Sequence, residues 1–290
     1  MKKIIILIPV FNDWDSLEKL LGEIDETVKN IKNIFIECLI VNDASTIISP
    51  QFIKPKNIKK INILDMRENR GHARCNAFGI RYVNENEDFD NLILMDSDGE
   101  DRPIELKLLI EKIIEYPNIS VVAKRIKRSE GPFFRFLYSL HKIITFVFTG
   151  QKINFGNYSC LTKSDVSKLF NKASLWSSYS GTFKKNINDF NEINSTRGKR
   201  YFGPSKMSLY NLIIHSFSII AVFKLQVLIR SFFIIIILGY INKFFTLDLV
   251  FLQIPVILFC IIIFLVSLRQ NKKELLKSSE NLINIKEFNN

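Results

Sequence analysis

Leu92-Ile93-Leu94-Met95-Asp96-Ser97-Asp98-Gly99-Glu100-Asp101 sets an apolar run directly before four acidic side chains. The run has the composition of a buried strand, so the carboxylates stand where that strand ends. Carboxylates this crowded repel one another unless a cation sits among them, and hard oxygen donors suit Mg²⁺ or Mn²⁺. A metal held by few protein groups commonly serves a phosphate. The competing reading is an acidic turn capping a helix that starts near Pro103, since Asp and Pro both favour helix starts.

Working outward, the same alternation recurs. Lys3 to Pro9 is a β-branched apolar run, followed by a helical pattern through Leu17, Leu20, Leu21 and Ile24. Phe35 to Val41 reads as a second strand ending at Asn42-Asp43. Ile58 to Leu64 reads as a third, ending before Arg67-Glu68-Asn69-Arg70-Gly71, with a helix from His72 to Asn84. After the acidic segment come a helix from Pro103 to Tyr116 and a strand, Ile119 to Ala123, that ends at Lys124-Arg125. Strand–helix alternation predicts a parallel sheet with helices on both faces. Each polar segment lies at a strand end, and ligands of such sheets bind beyond the carboxyl ends of the strands. Neither Gly-x-Gly-x-x-Gly after the first strand nor a Walker motif is present, which argues against a dinucleotide enzyme or a P-loop NTPase.

Further on, Phe133 to Phe148 is an aromatic-rich helical stretch, Asn154 to Thr162 another strand, and Arg197 to Lys206 a basic loop. Ala173 to Ser195, with Trp176, Tyr179, Lys184 and Lys185, reads as a ligand-facing loop, a mobile lid or a surface insertion. Two spans are expected at about 225–245 and 249–268, where Arg230 is the only charge between Leu225 and Ile241 and none falls between Leu249 and Leu268. A buried hairpin of a soluble protein is the alternative. Ser208 to Phe223, with Leu209, Leu212, Ile213, Phe217 and Ile220 at helical spacing, suits a helix at 207–224 lying in the membrane interface, or else a core helix. The tail at 269–290 is polar and expected to be loosely ordered. Pro9 and Asn12-Asp13 interrupt the first apolar run before a signal-peptide core forms, so the 1–206 domain is expected in the cytosol. Lys206, Lys224, Arg230, Arg269, Lys272, Lys273 and Lys277 flank the spans and point to a cytoplasmic location for both ends.

The formal charge of +11 suits an anionic lipid surface or a phosphate-rich ligand. No helix-turn-helix, zinc-finger or aromatic-basic pattern supports a nucleic-acid partner. Cys38, Cys75, Cys160 and Cys260 are widely spaced and read as reduced thiols. His72, His141 and His215 lack ligand spacing and read as structural.

Taken in order, the motifs resemble a family 2 glycosyltransferase of GT-A fold, in the branch of dolichyl- or polyprenyl-phosphate sugar synthases. Ile8-Pro9-Val10-Phe11-Asn12-Asp13 matches the opening strand and turn, and Val41-Asn42-Asp43-Ala44-Ser45 the Asp-Asp-Gly-Ser segment. Asn69-Arg70-Gly71-His72-Ala73 matches the Asn-x-Gly loop, and Met95-Asp96-Ser97-Asp98 the Asp-x-Asp signature. Arg200-Tyr201-Phe202-Gly203-Pro204-Ser205-Lys206 resembles the Arg-x-x-Gly-x-Ser-Lys element that precedes the membrane segments.

The resemblance implies a nucleotide-diphosphate sugar donor and a polyprenyl phosphate acceptor, with inversion at the anomeric centre. Pro9, Phe11, Asp13 and Asp43 would line the base and ribose pocket, joined by Asn69 and Gly71. Asp96 would face the ribose or metal, and Asp98 would bind Mg²⁺ or Mn²⁺ at the diphosphate, with Glu100 near the metal. Arg200, Ser205 and Lys206 would hold the diphosphate from the other side. Arg125 and Arg128 are candidates for the acceptor phosphate, against a solvated basic turn or a headgroup contact. Asp101 is the one obvious carboxylate that remains as a catalytic base. Three departures stand out: Glu100 where Gln is common, Asn42 for the first Asp of the pair, and Met207 where Tyr often follows Ser-Lys. The Gln-x-x-Arg-Trp element of processive synthases is absent. Alternatives are a hydroxyl acceptor on a glycolipid or surface-polysaccharide precursor, and a catalytically silent membrane scaffold. Membrane hairpins of this kind also suit packing into a homo-oligomer.

Overall fold

A computed structural model describes residues 1–50, 55–127, 132–204, 208–245 and 250–288. At its centre is β1 (Lys2–Val10), whose Ile4 to Ile8 are buried on both faces of the sheet. A parallel central strand must read this way, because helices cover it above and below. β2 (Ile34–Asn42) and β4 (Asn91–Leu94) flank it in parallel, and β3 (Ile58–Met66) pairs parallel with β2. Ile4, Ile6 and Ile8 pack under α1 (Trp14–Val28) and α3 (Pro103–Glu115). Ile5 and Leu7 meet α2 (His72–Asn86) on the other face.

The sheet is mixed rather than wholly parallel. β5 (Val121–Lys127), β6 (Phe155–Thr162), β7 (Asn191–Thr196) and β8 (Leu282–Phe288) complete the order β7-β5-β6-β4-β1-β2-β3-β8. β6 runs antiparallel to both β4 and β5, and β8 runs antiparallel to β3. Lys124 and Arg125 therefore lie within β5 instead of at its end.

Two further expectations change. The 173–195 stretch is neither lid nor insertion: after α5 (Lys163–Leu169), Trp176 and, on α6 (Tyr179–Asn186), Tyr179 and Phe183 are buried in the core, and β7 is hydrogen-bonded to β5. The tail is ordered as well. A short helix, Lys272–Leu276, is followed by a 3₁₀ turn and then β8, which closes the edge beside β3.

The apolar segments form α7 (Leu209–Ala221), α8 (Lys224–Phe245) and α9 (Val250–Ser267). α8 and α9 are long and apolar enough to cross a membrane, and most of their surface is not covered by protein. α4 (Pro132–Thr149) packs against them. Phe136, Leu140, Ile143 and Val147 are exposed along one of its faces, while Ile144 and Phe148 join Phe217 and Phe259 in a small apolar cluster. Arg230 Nη1 donates to Val147 O at 3.2 Å, tying α8 to α4.

Candidate functional site

The carboxyl ends of β1, β2 and β3 come out level, because Val10 is in register with Asn42 and Asn42 with Asp65, and β4 ends beside them three residues earlier, with Leu94 in register with Leu7. A crevice opens there. The turn after β4 is built by its own acidic groups: Asp96 N donates to Asp101 Oδ2 at 3.1 Å, and Glu100 N donates to Asp98 Oδ1 at 3.0 Å. Gly99 holds φ at +84°, and a Cβ there would fall 2.5 Å from the Tyr201 ring, so only glycine fits.

A basic loop closes over this turn. Gly198 N donates to Glu100 O at 2.8 Å and Tyr201 N to Asp98 O at 2.9 Å, while Tyr201 OH donates to Glu23 Oε2 at 2.6 Å. Arg200 bridges two carboxylates, with Nη1 2.8 Å from Asp98 Oδ2 and Nη2 on Asp13 Oδ2. Arg197 pairs with Glu100. The loop's cations thus occupy the acidic side directly.

Each carboxylate has its own environment. Burial, reinforced by Asp96 and Glu100, pushes Asp98 up to about 6. Asp101 is 5% exposed, and burial with the Asp96 charge pushes it up to about 8. Burial also opposes the charge on Asp96, but His72, Arg125 and Arg197 outweigh it and hold this carboxyl below the usual range. His72 Nε2 lies 3.2 Å from Asp96 Oδ1, 3.0 Å from Asn76 Nδ2 and 2.8 Å from Asn157 Nδ2. Burial opposes protonation of His72, yet Asp96, Asp98 and Asp101 raise it above an ordinary histidine.

The other side of the crevice is the 67–71 loop. Gly71 holds φ at +89° as it leads into α2. Asp43 accepts from Arg70 N and Gly71 N, both at 2.8 Å, and is itself buried. Asn12 clasps the segment after β2, its Oδ1 accepting from Thr46 N at 2.8 Å and Ile47 N at 3.0 Å. Asn42 Nδ2 donates to Asp65 Oδ1 at 2.8 Å. An Asp at position 42 would face the Asp65 carboxylate, which accounts for the amide there.

These positions revise the expected roles. Asp96, Asp98, Asp13 and Arg200 converge; Pro9 lies near the end of β1, and Phe11, Asn69 and Gly71 lie on the loops that border them, with Phe11 and Asn69 exposed. Arg125 lies across Gly156, near enough to Asp96 and Asp101 for its charge to lower both. Asp43 has both oxygens on loop amides, so it shapes the pocket from behind instead of presenting a carboxylate to a base. Asp101 anchors the Asp96 amide from a buried position, which does not suit a general base. Glu100 is turned to Arg197 and does not join Asp96 and Asp98 around one point. Ser205, Lys206 and Arg128 lie outside the described residues.

Among the described residues, no three acidic, histidine or cysteine side chains form a complete metal cage. Asp96 and Asp98 still fit Mg²⁺ or Mn²⁺, which is commonly held by one or two carboxylates together with substrate phosphates. Asp96 Oδ1 is buried, and its 3.2 Å approach to His72 Nε2 leaves a carboxylate lone pair for that fit. His72 was read as structural from the sequence. Its place in Asn69-Arg70-Gly71-His72, where a loop enters a helix at the crevice, was the available signal.

The family described as Glycosyl transferase family 2 matches residues 5–178. A curated relative, the undecaprenyl-phosphate 4-deoxy-4-formamido-L-arabinose transferase of Proteus mirabilis, is 25% identical over 223 residues. The match covers 73% of this chain and 65% of the relative, so the chain spans just under two thirds of that protein's length. Glucosyl-3-phosphoglycerate synthase from Mycobacterium tuberculosis, in complex with Mn²⁺, UDP-glucose and phosphoglyceric acid, superposes with a TM-score of 0.53 at 13% identity, over 78% of this chain and 80% of that one. A mannosyltransferase from Pyrobaculum calidifontis in complex with GDP-Man and Mn²⁺ gives 0.51 at 15% identity, over 78% of this chain and 64% of that one. At these identities the two structures speak to the fold alone.

Proposed function

Because the chain belongs to glycosyl transferase family 2 and has its GT-A fold, we propose that it moves one sugar from a nucleotide-diphosphate donor to a polyprenyl phosphate at the membrane surface. The observation that carries this reading is the Asp96-x-Asp98 turn at the end of a central strand, bridged by Arg200 and built into a chain with two exposed apolar helices. The curated relative, named for transfer involving undecaprenyl phosphate, supports the acceptor class.

The donor diphosphate would lie between the 67–71 loop and the acidic turn. Arg200 would exchange its carboxylate partners for phosphate oxygens, as guanidinium forks favour both. Mg²⁺ or Mn²⁺, held by Asp96 and Asp98, would neutralise charge on the leaving diphosphate. Arg125 would orient the acceptor phosphate. That nucleophile needs little deprotonation, since the second pKa of a phosphomonoester is about 6. Its oxygen forms the bond to the anomeric carbon as the bond to the diphosphate breaks, and attack from the opposite face inverts that centre.

α8 and α9 would cross the bilayer, with α7 and the apolar face of α4 at its surface. β8 pairs with β3 after the second of these helices, so a spanning hairpin returns the tail to the catalytic side. With the positively charged flanks, this supports a cytoplasmic location for both ends. One observation favours a hydroxyl acceptor instead: the His72–Asp96 contact of 3.2 Å, a pair able to take a proton from an alcohol.

A thermal-shift screen of nucleotide sugars with Mn²⁺ tests the donor site. A matching donor raises Tm in the presence of Mn²⁺, and no shift with any common nucleotide sugar contradicts the reading. Comparing phosphate with hydroxyl acceptors then separates the two acceptor classes.

A further inference from the structure

The 67–71 loop is held from two directions, and one of them comes from the far end of the chain. Behind it stands Asp43. From the tail comes Asn281, whose backbone O accepts from Arg67 N at 2.7 Å, whose Oδ1 accepts from Glu68 N at 3.1 Å, and whose Nδ2 donates to Glu68 O at 3.1 Å. A side-chain amide carries the same donor and acceptor as a peptide unit. Asn281 therefore adds rungs to the β3–β8 ladder where β3 stops at Met66. Asn281 is 6% exposed while Glu68 lies on the surface, so the Asn281 end of these bonds is the one shielded from water.

The rest of the tail grips the same region. Glu274 pairs with Arg70 at 2.8 Å, and Arg81 Nη1 on α2 donates to Leu275 O at 2.8 Å. A small cavity of about 10 Å³, lined by Asp43, Arg70, Arg74, Trp176 and Asn281, lies beside the loop between these restraints.

We propose that Asn281 is a positioning residue for the donor-binding loop, so that the tail returning from the apolar hairpin holds one wall of the nucleotide-sugar pocket in its binding shape. This rests on the donor site proposed above. Without the Asn281 amide, Glu68 N and O lose their partners, and ordering the loop again is charged against donor binding. The acceptor side at Arg125, on β5, touches none of these groups.

The test uses the full-length protein in detergent with Mn²⁺, titrated calorimetrically with UDP and with GDP, alongside steady-state kinetics for both substrates. Asn281→Ala is expected to raise the nucleotide Kd and the donor KM about tenfold, with the KM for polyprenyl phosphate unchanged. Glu287→Gln, which removes an ion pair with Lys60 at 3.3 Å elsewhere on the same edge strand, is expected to leave donor affinity at the wild-type value. The proposal is overturned by unchanged donor affinity in N281A, by equal losses for donor and acceptor, or by an E287Q loss matching that of N281A. If N281A does not fold, Asn281→Asp decides in the same way, since it keeps an acceptor for Glu68 N and replaces the donation to Glu68 O by a carboxylate oxygen facing that carbonyl. Failure of the unsubstituted protein to bind either nucleotide would instead remove the donor site itself, and this inference with it.

Discussion

The two sides of the crevice are built on opposite principles. On the 96–101 side, carboxylates meet cations: Arg200 on Asp98 and Asp13, Arg197 on Glu100, His72 beside Asp96. On the 67–71 side, the fixing groups Asp43 and Asn281 are bonded to backbone amides and carbonyls. Ionic partners can be exchanged for a metal and a diphosphate without unfolding anything. Part-buried amides that lose their acceptor keep only what water reaches them. One side is made to change partners and the other to keep its shape.

Substitutions can break that contrast. The largest effect is expected for Asp98→Ala, which should lower turnover about 10³-fold through lost stabilisation of the leaving diphosphate. Its Tm should stay close to that of the unsubstituted protein, because no backbone group depends on the carboxylate except Glu100 N. Differential scanning of the purified protein, beside a transfer assay, reads both. Asp43→Ala should show the reverse weighting. It strands two amides and is expected to cost about 2–4 kcal/mol of stability, seen as a clear fall in Tm before any kinetic analysis.

Smaller effects sharpen the picture. Arg200→Ala is expected to reduce kcat/KM for the donor about 10–100-fold, with Arg200→Lys recovering part of it, because lysine keeps the charge but loses the fork. If lysine restores full activity, the bidentate role is wrong. Gly71→Ala should be the mildest, costing about 1–2 kcal/mol for a Cβ at positive φ, since nothing lies close enough to clash. A Tm fall far beyond that would mean the loop is packed more tightly than its surroundings indicate.

Local sequence carried much of this architecture. β1 and β4 carry continuous apolar runs, β2 and β3 are apolar runs interrupted by Glu37 and by Lys59, Lys60 and Asn62, all end in polar turns, and the Asp-x-Asp turn follows directly from β4. What it did not carry were pairings between distant segments. Leu282 to Phe288 contains Ile283 and Ile285 at strand spacing, but Asn284, Lys286 and Glu287 give it the composition of a loose tail. Only register with β3, such as Ile63 against Lys286 and Ile61 against Phe288, makes it a strand. Trp176 and Tyr179 looked available for a ligand because burial depends on the helices that fold over them. Asp43 shows the limit most clearly: its motif points to a nucleotide, and its geometry shows it holding the loop that would meet one.

Transfer of a single sugar to a lipid phosphate is the reaction proposed for this chain. Purified full-length protein, incubated with labelled nucleotide sugars, polyprenyl phosphate and Mg²⁺ or Mn²⁺, tests it directly. The expected result is label in the lipid fraction with one donor, dependent on the divalent cation and lost in D98A. Absence of lipid label with every common donor, or wild-type rates in D98A, would contradict it.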